Sequence, residues 1–233
     1  MRERNTRSLL YLSASATFAL LVFMAFARRF YLAPFFKGHD LPVLLHIHGA
    51  VMSGWVLLLA VQSGLIAARR VQWHRRLGTL GAAWAVLVVI LGSVTTLHAS
   101  AREVREHTGI APLQLTITGL ELVQMLLFAG FVTAAVVLRD RGAVHKRLML
   151  LTIACMLPSV LPRLPLGLFQ SITSILLAVD ASILICIGFD TFWRRRLHPA
   201  FAVGGALIIA TLQLAYFGAN TPAWRNFLAS VLS

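Results

Sequence analysis

Apolar residues run along this chain in long blocks separated by short basic clusters. Seven blocks approach the roughly 20 residues that a helix needs to cross a bilayer. They fall at about 8–27, 41–68, 77–97, 112–138, 148–169, 171–193 and 200–218. The second and fourth are long enough to tilt or protrude. The fifth holds Pro158, Pro162 and Pro165. Each proline removes a backbone donor and crowds the preceding turn, so this block cannot be one straight helix. Aromatic residues mark several block ends: Phe30-Tyr31, Trp73, Trp193, Tyr216 and Trp224, as expected at lipid–water interfaces. The pattern predicts an all-α polytopic bundle of about seven transmembrane helices, a single integral membrane domain over 1–233. Spans two to five (41–169) would form a four-helix core, with spans 8–27, 171–193 and 200–218 around it.

Composition agrees. Of 233 residues, 58% are hydrophobic and 12% charged, with a mean hydropathy of +0.80. Soluble domains carry about 25% charged residues, so a soluble globule, a disordered tail and a fibrous repeat are all excluded. The formal charge of +13 would suggest a nucleic-acid partner in a soluble protein. Here the cations form short runs at block ends, Arg28-Arg29, Arg69-Arg70, Arg75-Arg76, Lys146-Arg147 and Arg194-Arg195-Arg196. That is the pattern of helix ends at anionic lipid surfaces, and the partner it implies is the bilayer rather than nucleic acid. Cys155 and Cys186 lie inside apolar blocks and read as small packing residues. The basic start and Ala25-Phe26-Ala27 have the outline of a leader peptide, but the apolar run of about 19 residues exceeds the usual 7–15. It is therefore read as a retained span.

Orientation follows from counting Lys and Arg. The N-terminal segment and the loops after spans two, four and six hold 14 basic residues, against 7 on the other side. The positive-inside rule then predicts a cytoplasmic N-terminus and an external C-terminus.

A short string recurs. Trp73-His74-Arg75-Arg76-Leu77 and Val144-His145-Lys146-Arg147-Leu148 are 71 residues apart. Each histidine opens an outward-running span, so spans two–three and four–five read as two parallel hairpins. Gly49 and Ser53, Gly78 and Ala82, and Gly81 and Ala85 are spaced to let helices approach closely.

Ionisable groups at depth cost about 2.5–3.5 kcal/mol on insertion scales. Glu121, Arg163 and Asp180 fall about 20–25 Å above the basic side at 1.5 Å per helical residue. They are expected to meet, either as a packing ion pair or as a proton or substrate site, unless Arg163 snorkels to the interface. Gln114, Thr118, Glu121 and Gln124 share one helix face with an inward bearing.

Eight histidines are present. A bis-histidine haem needs two imidazoles at one depth on facing helices. His48 and His98 match in level near the outer surface, and His74 and His145 match at the inner one. Two such pairs would make an electron path across the membrane. His46, about 200° from His48 around the helix, is the alternate ligand. All of these also suit purely interfacial roles.

The boxes His74-Arg75-Arg76-Leu77-Gly78 and His145-Lys146-Arg147-Leu148-Met149, followed by Arg163, resemble an uncharacterised family of bacterial multi-pass membrane proteins, a domain of unknown function. This likeness spans about 42–165 and implies the bacterial inner membrane. More distantly, His48-Gly49-x-x-Met52-x-x-Trp55 with Trp73-His74 resembles the transmembrane core of di-haem b-type cytochromes that pass electrons to ferric iron. That resemblance implies haem b, with His48 and His74 as ligands and His145 as a third, and a quinone or other redox partner. The chain departs from the pattern: the 71-residue offset carries His48 onto Gly119 and His98 onto Phe169, so the second hairpin lacks an outer histidine.

Three function classes stay open on sequence grounds. One is b-haem electron transfer by a membrane oxidoreductase. Another is small-solute or proton transport, which the proline-broken fifth span suits. The third is a non-enzymatic accessory or assembly role. No Ser/His/Asp set or HExxH motif is visible. Oligomeric state is open.

Overall fold

The computed structural model describes residues 2–36, 41–107, 111–219 and 221–232. Among the described residues eight α-helices run in chain order: α1 (Arg2–Phe26), α2 (Val43–Ala67), α3 (Val71–His107), α4 (Pro112–Val137), α5 (Gly142–Val160), α6 (Ile172–Arg194), α7 (Pro199–Gly218) and α8 (Pro222–Leu232). No strand occurs among the described residues. Seven of the helices are long and apolar enough to cross a membrane, so the protein is a polytopic helical bundle.

The helices close on one another in order. α1 packs on α2 and α5, α2 on α3, α3 on α4, and α4 on α5. The two expected hairpins are thus joined into a five-helix ring by α1. α7 fills the angle between α4 and α5, and α6 leans on α5 and α7. α4 and α5 are therefore the most enclosed spans. At the centre, Trp55 of α2 and Phe128 of α4 meet edge to face, ring centres 5.1 Å apart. Both are buried, and such aromatic pairs add to plain burial.

Turn chemistry sets the ends. After α2, Arg69 takes a left-handed conformation (φ 59°) and the Arg70 N–H closes back on the Leu65 carbonyl at 2.8 Å. This six-residue closure ends a helix and turns the chain sharply. The His74 N–H then bonds the Arg70 carbonyl (3.1 Å), as the His145 N–H bonds that of Arg141 (3.0 Å). The backbone thus repeats with the 71-residue period of the sequence boxes.

Some boundaries differ from the apolar blocks. α3 covers 37 residues, about 55 Å at 1.5 Å per residue, and exceeds the hydrocarbon thickness of about 30 Å. Polar flanks such as Ala101–Glu106 continue the helix because they retain helix-forming residues with no breaker. His74 and His145 accordingly sit in first helical turns rather than in loops. α5 stops at Val160, and a 3₁₀ turn, Leu161–Arg163, follows Pro158. The proline costs the i→i−4 bond there, and Pro162 prevents its resumption.

Close contact comes through small residues, though not always between the expected partners. A Cβ on Gly49 would fall 2.6 Å from Phe30, and one on Gly54 would fall 2.6 Å from Trp84. Gly49 and Ser53 receive the π-helical turn Ala27–Tyr31 that follows α1: Tyr31 Oη lies 2.7 Å from Ser53 Oγ. α8, an amphipathic helix, packs on α3, and Trp224 Nε1 donates to the Leu115 carbonyl of α4 at 3.1 Å. Two ends are distinguished below: the basic end, where α2 turns into α3, α4 into α5 and α6 into α7, and the far end, where α8 lies.

Candidate functional site

At the basic end the two boxes come together. The rings of His74 and His145 lie 6.2 Å apart between centres, with planes at 86°. Among the described residues they are the one pair of histidine rings in contact. His145 Nδ1 is 2.7 Å from the Ala135 carbonyl oxygen. A carbonyl only accepts, so Nδ1 carries the proton and Nε2 keeps its lone pair. His74 Nδ1 is buried beside the Gln62 main chain with no hydrogen bond of normal geometry. Gln62 Oε1 is buried and unpartnered too. The Gln62 side chain runs past Gly78, 3.4 Å from where a Cβ would stand, one turn from His74. Unsatisfied buried polar atoms cost about 1–3 kcal/mol each, so such an atom calls for a water, an ion or another polar group beside it.

A second cluster adjoins it. Arg147, one turn into α5, is 2% exposed. Its Nε donates to Asp190 Oδ2 of α6 at 2.9 Å, its Nη2 to Asp190 Oδ1, and its Nη1 to the Ala143 carbonyl. The guanidinium also lies over the Phe201 ring of α7, 5.6 Å from its centre. Arg194 Nη1 stands 4.0 Å from Asp190 Oδ2. The Lys146 ammonium sits over the Tyr11 ring of α1 at 4.9 Å. Just outside the spans, His198 caps α7: its Nδ1 accepts the Ala200 N–H at 3.1 Å. Partial burial first, and then the charges of Arg147 and Arg194, hold the His198 imidazole below its ordinary pKa.

The far half holds a polar seam between α3, α4 and α5. Thr96 Oγ1 donates to Glu121 Oε2 at 2.9 Å. Ser100 Oγ and Thr118 Oγ1 are 2.7 Å apart, and Thr118 donates to the Gln114 carbonyl at 2.7 Å. Gln124 and Ser159 exchange two bonds, of 2.9 and 3.1 Å. Arg163 donates to the Ser159 carbonyl and lies over Phe26, 5.5 Å from its ring centre.

The sequence-level candidates therefore separate. Gln114, Thr118, Glu121 and Gln124 do share an inward face. Glu121 accepts from Thr96 and Arg163 donates to Ser159; the two share no direct ion pair but lie near enough for the carboxylate to attract the guanidinium. Asp180 stands apart on α6 and accepts from Gln213 Nε2 of α7 at 3.0 Å. Equal depth did not bring Asp180 to the other two, because α6 packs on α5 and α7 rather than on α4. His48 Nδ1 lies 2.9 Å from Thr95 Oγ1. His98 is exposed on α3, and His46 is exposed beside Phe30, ring centres 6.2 Å apart. The far-end histidines thus form no ring pair, whereas the basic-end histidines do.

Sequence reasoning counted Arg147 as one of the inner-surface cations and did not single out Asp190. A carboxylate four residues before the Arg194 run, still inside an apolar block, was the available signal. The burial of Arg147 had none, since Arg76 holds the same place in the first box and is exposed, 5.6 Å above the Trp73 ring. No protein-family model, no curated protein and no solved structure matches this chain.

Proposed function

We propose that this is a membrane electron-transfer protein of the bacterial inner membrane that holds a b-type haem between His74 and His145. The observation that carries this reading is their ring separation of 6.2 Å. Metal–imidazole bonds of about 2.0 Å, with about 1.1 Å from nitrogen to ring centre on each side, put two imidazoles on one metal at about 6.2 Å. The His145 Nδ1–H bond to a backbone carbonyl supports it as well, because such a bond fixes ring orientation and leaves Nε2 for ligation. The orphaned His74 Nδ1 and Gln62 Oε1 mark an incompletely satisfied polar spot beside the pair. The bound haem would supply a site that accepts and returns one electron. The chain's own part is to hold the two half-buried rings of α3 and α5 side by side at the basic end of the bundle. Placing the N-terminus in the cytoplasm, as the excess of cations at the basic end implies, puts this pair on the cytoplasmic side. The redox partner, a quinone or a protein, would be met there.

Purified protein, supplied with haem in detergent, tests this by a reduced-minus-oxidised spectrum. A Soret band that is lost in His74→Ala and in His145→Ala, and kept in His98→Ala, is the expected result. Absence of any band after reconstitution overturns the reading.

One observation favours a second reading. The seam from Gln114 through Thr118 and Ser100, with Thr96, Glu121, Gln124 and Ser159 close by, sets polar groups along the far half of α4, as a proton path would require. Proton uptake by reconstituted vesicles, abolished by Glu121→Gln, would support transport in place of electron transfer.

A further inference from the structure

The polar seam stops short of the histidine pair. From the far end it descends one face of α4. Gln114 is half-buried there, Thr118 bonds Ser100, Glu121 accepts from Thr96, and Gln124 exchanges two bonds with Ser159. The same face continues with Phe128, Val132 and Ala135. All three are buried, and the Ala135 carbonyl accepts from His145 Nδ1. On α2, Trp55, Leu59 and Gln62 likewise share a face, and the Gln62 main chain lies beside His74. An apolar stretch therefore separates the two polar ends. On α4 it runs from Gln124 to Ala135, about 16 Å at 1.5 Å per residue.

Trp55 and Phe128 stand at the head of that stretch. α2 and α4 are not neighbours in the helix ring, so the two side chains reach across its middle. They meet with ring centres 5.1 Å apart and planes at 77°. Trp55 is 2% exposed and Phe128 0%. The indole Nε1, which can only donate, is buried with no hydrogen-bond partner among the described residues. A tight apolar constriction excludes water and so interrupts a proton path. A lone buried donor inside it is where a water is held once the rings part.

We propose that protons enter the seam from the far end as far as Gln124, and that the Trp55–Phe128 pair is the closed gate between them and the basic-end histidines. The proposal rests on the reading of the seam as a proton path and does not depend on a bound haem. If the two rings only packed the bundle, opening them would change stability and nothing else.

The test uses the full chain in liposomes that hold a pH-sensitive dye, with a potassium gradient and valinomycin driving protons inward. Phe128→Ser removes the ring and leaves a hydroxyl and room for water beside Trp55 Nε1. It should raise proton influx about tenfold over the parent, as wetting of an apolar constriction does. Phe128→Gln, closer in volume, extends the polar face by one turn and should act in the same sense, so it reads the gate where the serine variant fails to fold. Leu126→Ser, on the outward side of the same helix where Leu126 is 72% exposed, should leave influx at the parent's level. Adding Glu121→Gln to the open variant should return influx to near that level. No rise in a folded Phe128 variant, or an equal rise in Leu126→Ser, overturns the gate and leaves the seam to be judged by the parent's own uptake. A rise confined to the Phe128 variants that Glu121→Gln leaves intact shows that the opened passage is not the seam, which overturns the proton-path reading and the proposal with it.

Discussion

Arg147 of α5 holds Asp190 of α6 through two arms of its guanidinium, inside the bundle and two residues along the helix from the paired histidine His145. The two residues tie α6 to the ring of the first five helices. Breaking a buried ion pair by removing one partner leaves an uncompensated charge, which costs about 3–5 kcal/mol. Asp190→Ala should therefore lower stability by about that amount in a thermal or SDS unfolding series. The double variant Arg147→Met/Asp190→Leu, which leaves no charge behind, should recover most of the loss. A single variant as stable as the parent would show that the pair does not hold α6.

Why did this pair escape the sequence when the spans did not? Long apolar blocks with cationic collars leave a chain few options in a bilayer, so helix number, approximate ends and hairpin order follow from residue type alone. The 71-residue box repeat was readable for the same reason: it lies along the chain, and the backbone closures at Arg70 and Arg141 reproduce it. Facing is different. His48 and His98 match in depth, yet one turns to Thr95 and the other stands exposed. Glu121 and Asp180 match in depth too, but belong to different helix interfaces. Rotation about each helix axis is fixed by which neighbours pack on it. α6 and α7 cover only the second hairpin, so Arg147 is buried and its repeat partner Arg76 is not. Nothing in either box distinguishes them.

The Thr96–Glu121 bond gives a sharper reading of the seam. Thr96 is buried and donates its proton to Glu121 Oε2. A glutamine at 121 still presents a carbonyl oxygen, whereas a leucine leaves the hydroxyl unpartnered at about 1–3 kcal/mol. Glu121→Gln should fold with near-parent stability, and Glu121→Leu should lose about that amount by SDS unfolding. Equal losses in both would mean that the charge of Glu121, rather than its acceptor, matters to the fold.

Helix approach near the middle of the α2–α3 hairpin rests on Gly54. The Trp84 ring lies where a side chain would stand, and its Nε1 donates to the Val51 carbonyl at 2.9 Å. Gly54→Val must displace that ring and its bond, an overpacking that typically costs about 1–3 kcal/mol. Gly64 on the same helix meets nothing closer than Leu12 at 4.0 Å. Gly64→Ala should therefore be neutral or stabilising, by up to about 1 kcal/mol from helix propensity. Parallel unfolding curves decide the matter, and equal effects at the two positions would contradict the packing described.

His198 makes stability depend on pH with a defined sign. Its Nδ1 accepts the Ala200 N–H, which only the unprotonated nitrogen can do. Partial burial, with the charges of Arg147 and Arg194, disfavours the imidazolium in the folded protein, so its pKa is lowered. The unfolded chain then binds more protons than the native one below the unfolded pKa of about 6.5. Stability must rise with pH across that window. The capping contribution is fully present above about pH 6.5 and lost as pH falls through the lower native value. His198→Asn keeps a capping acceptor but cannot titrate. The melting temperature of the parent should fall relative to that of His198→Asn between about pH 6.5 and pH 5, and a constant difference across the range would show that His198 does not act through its cap.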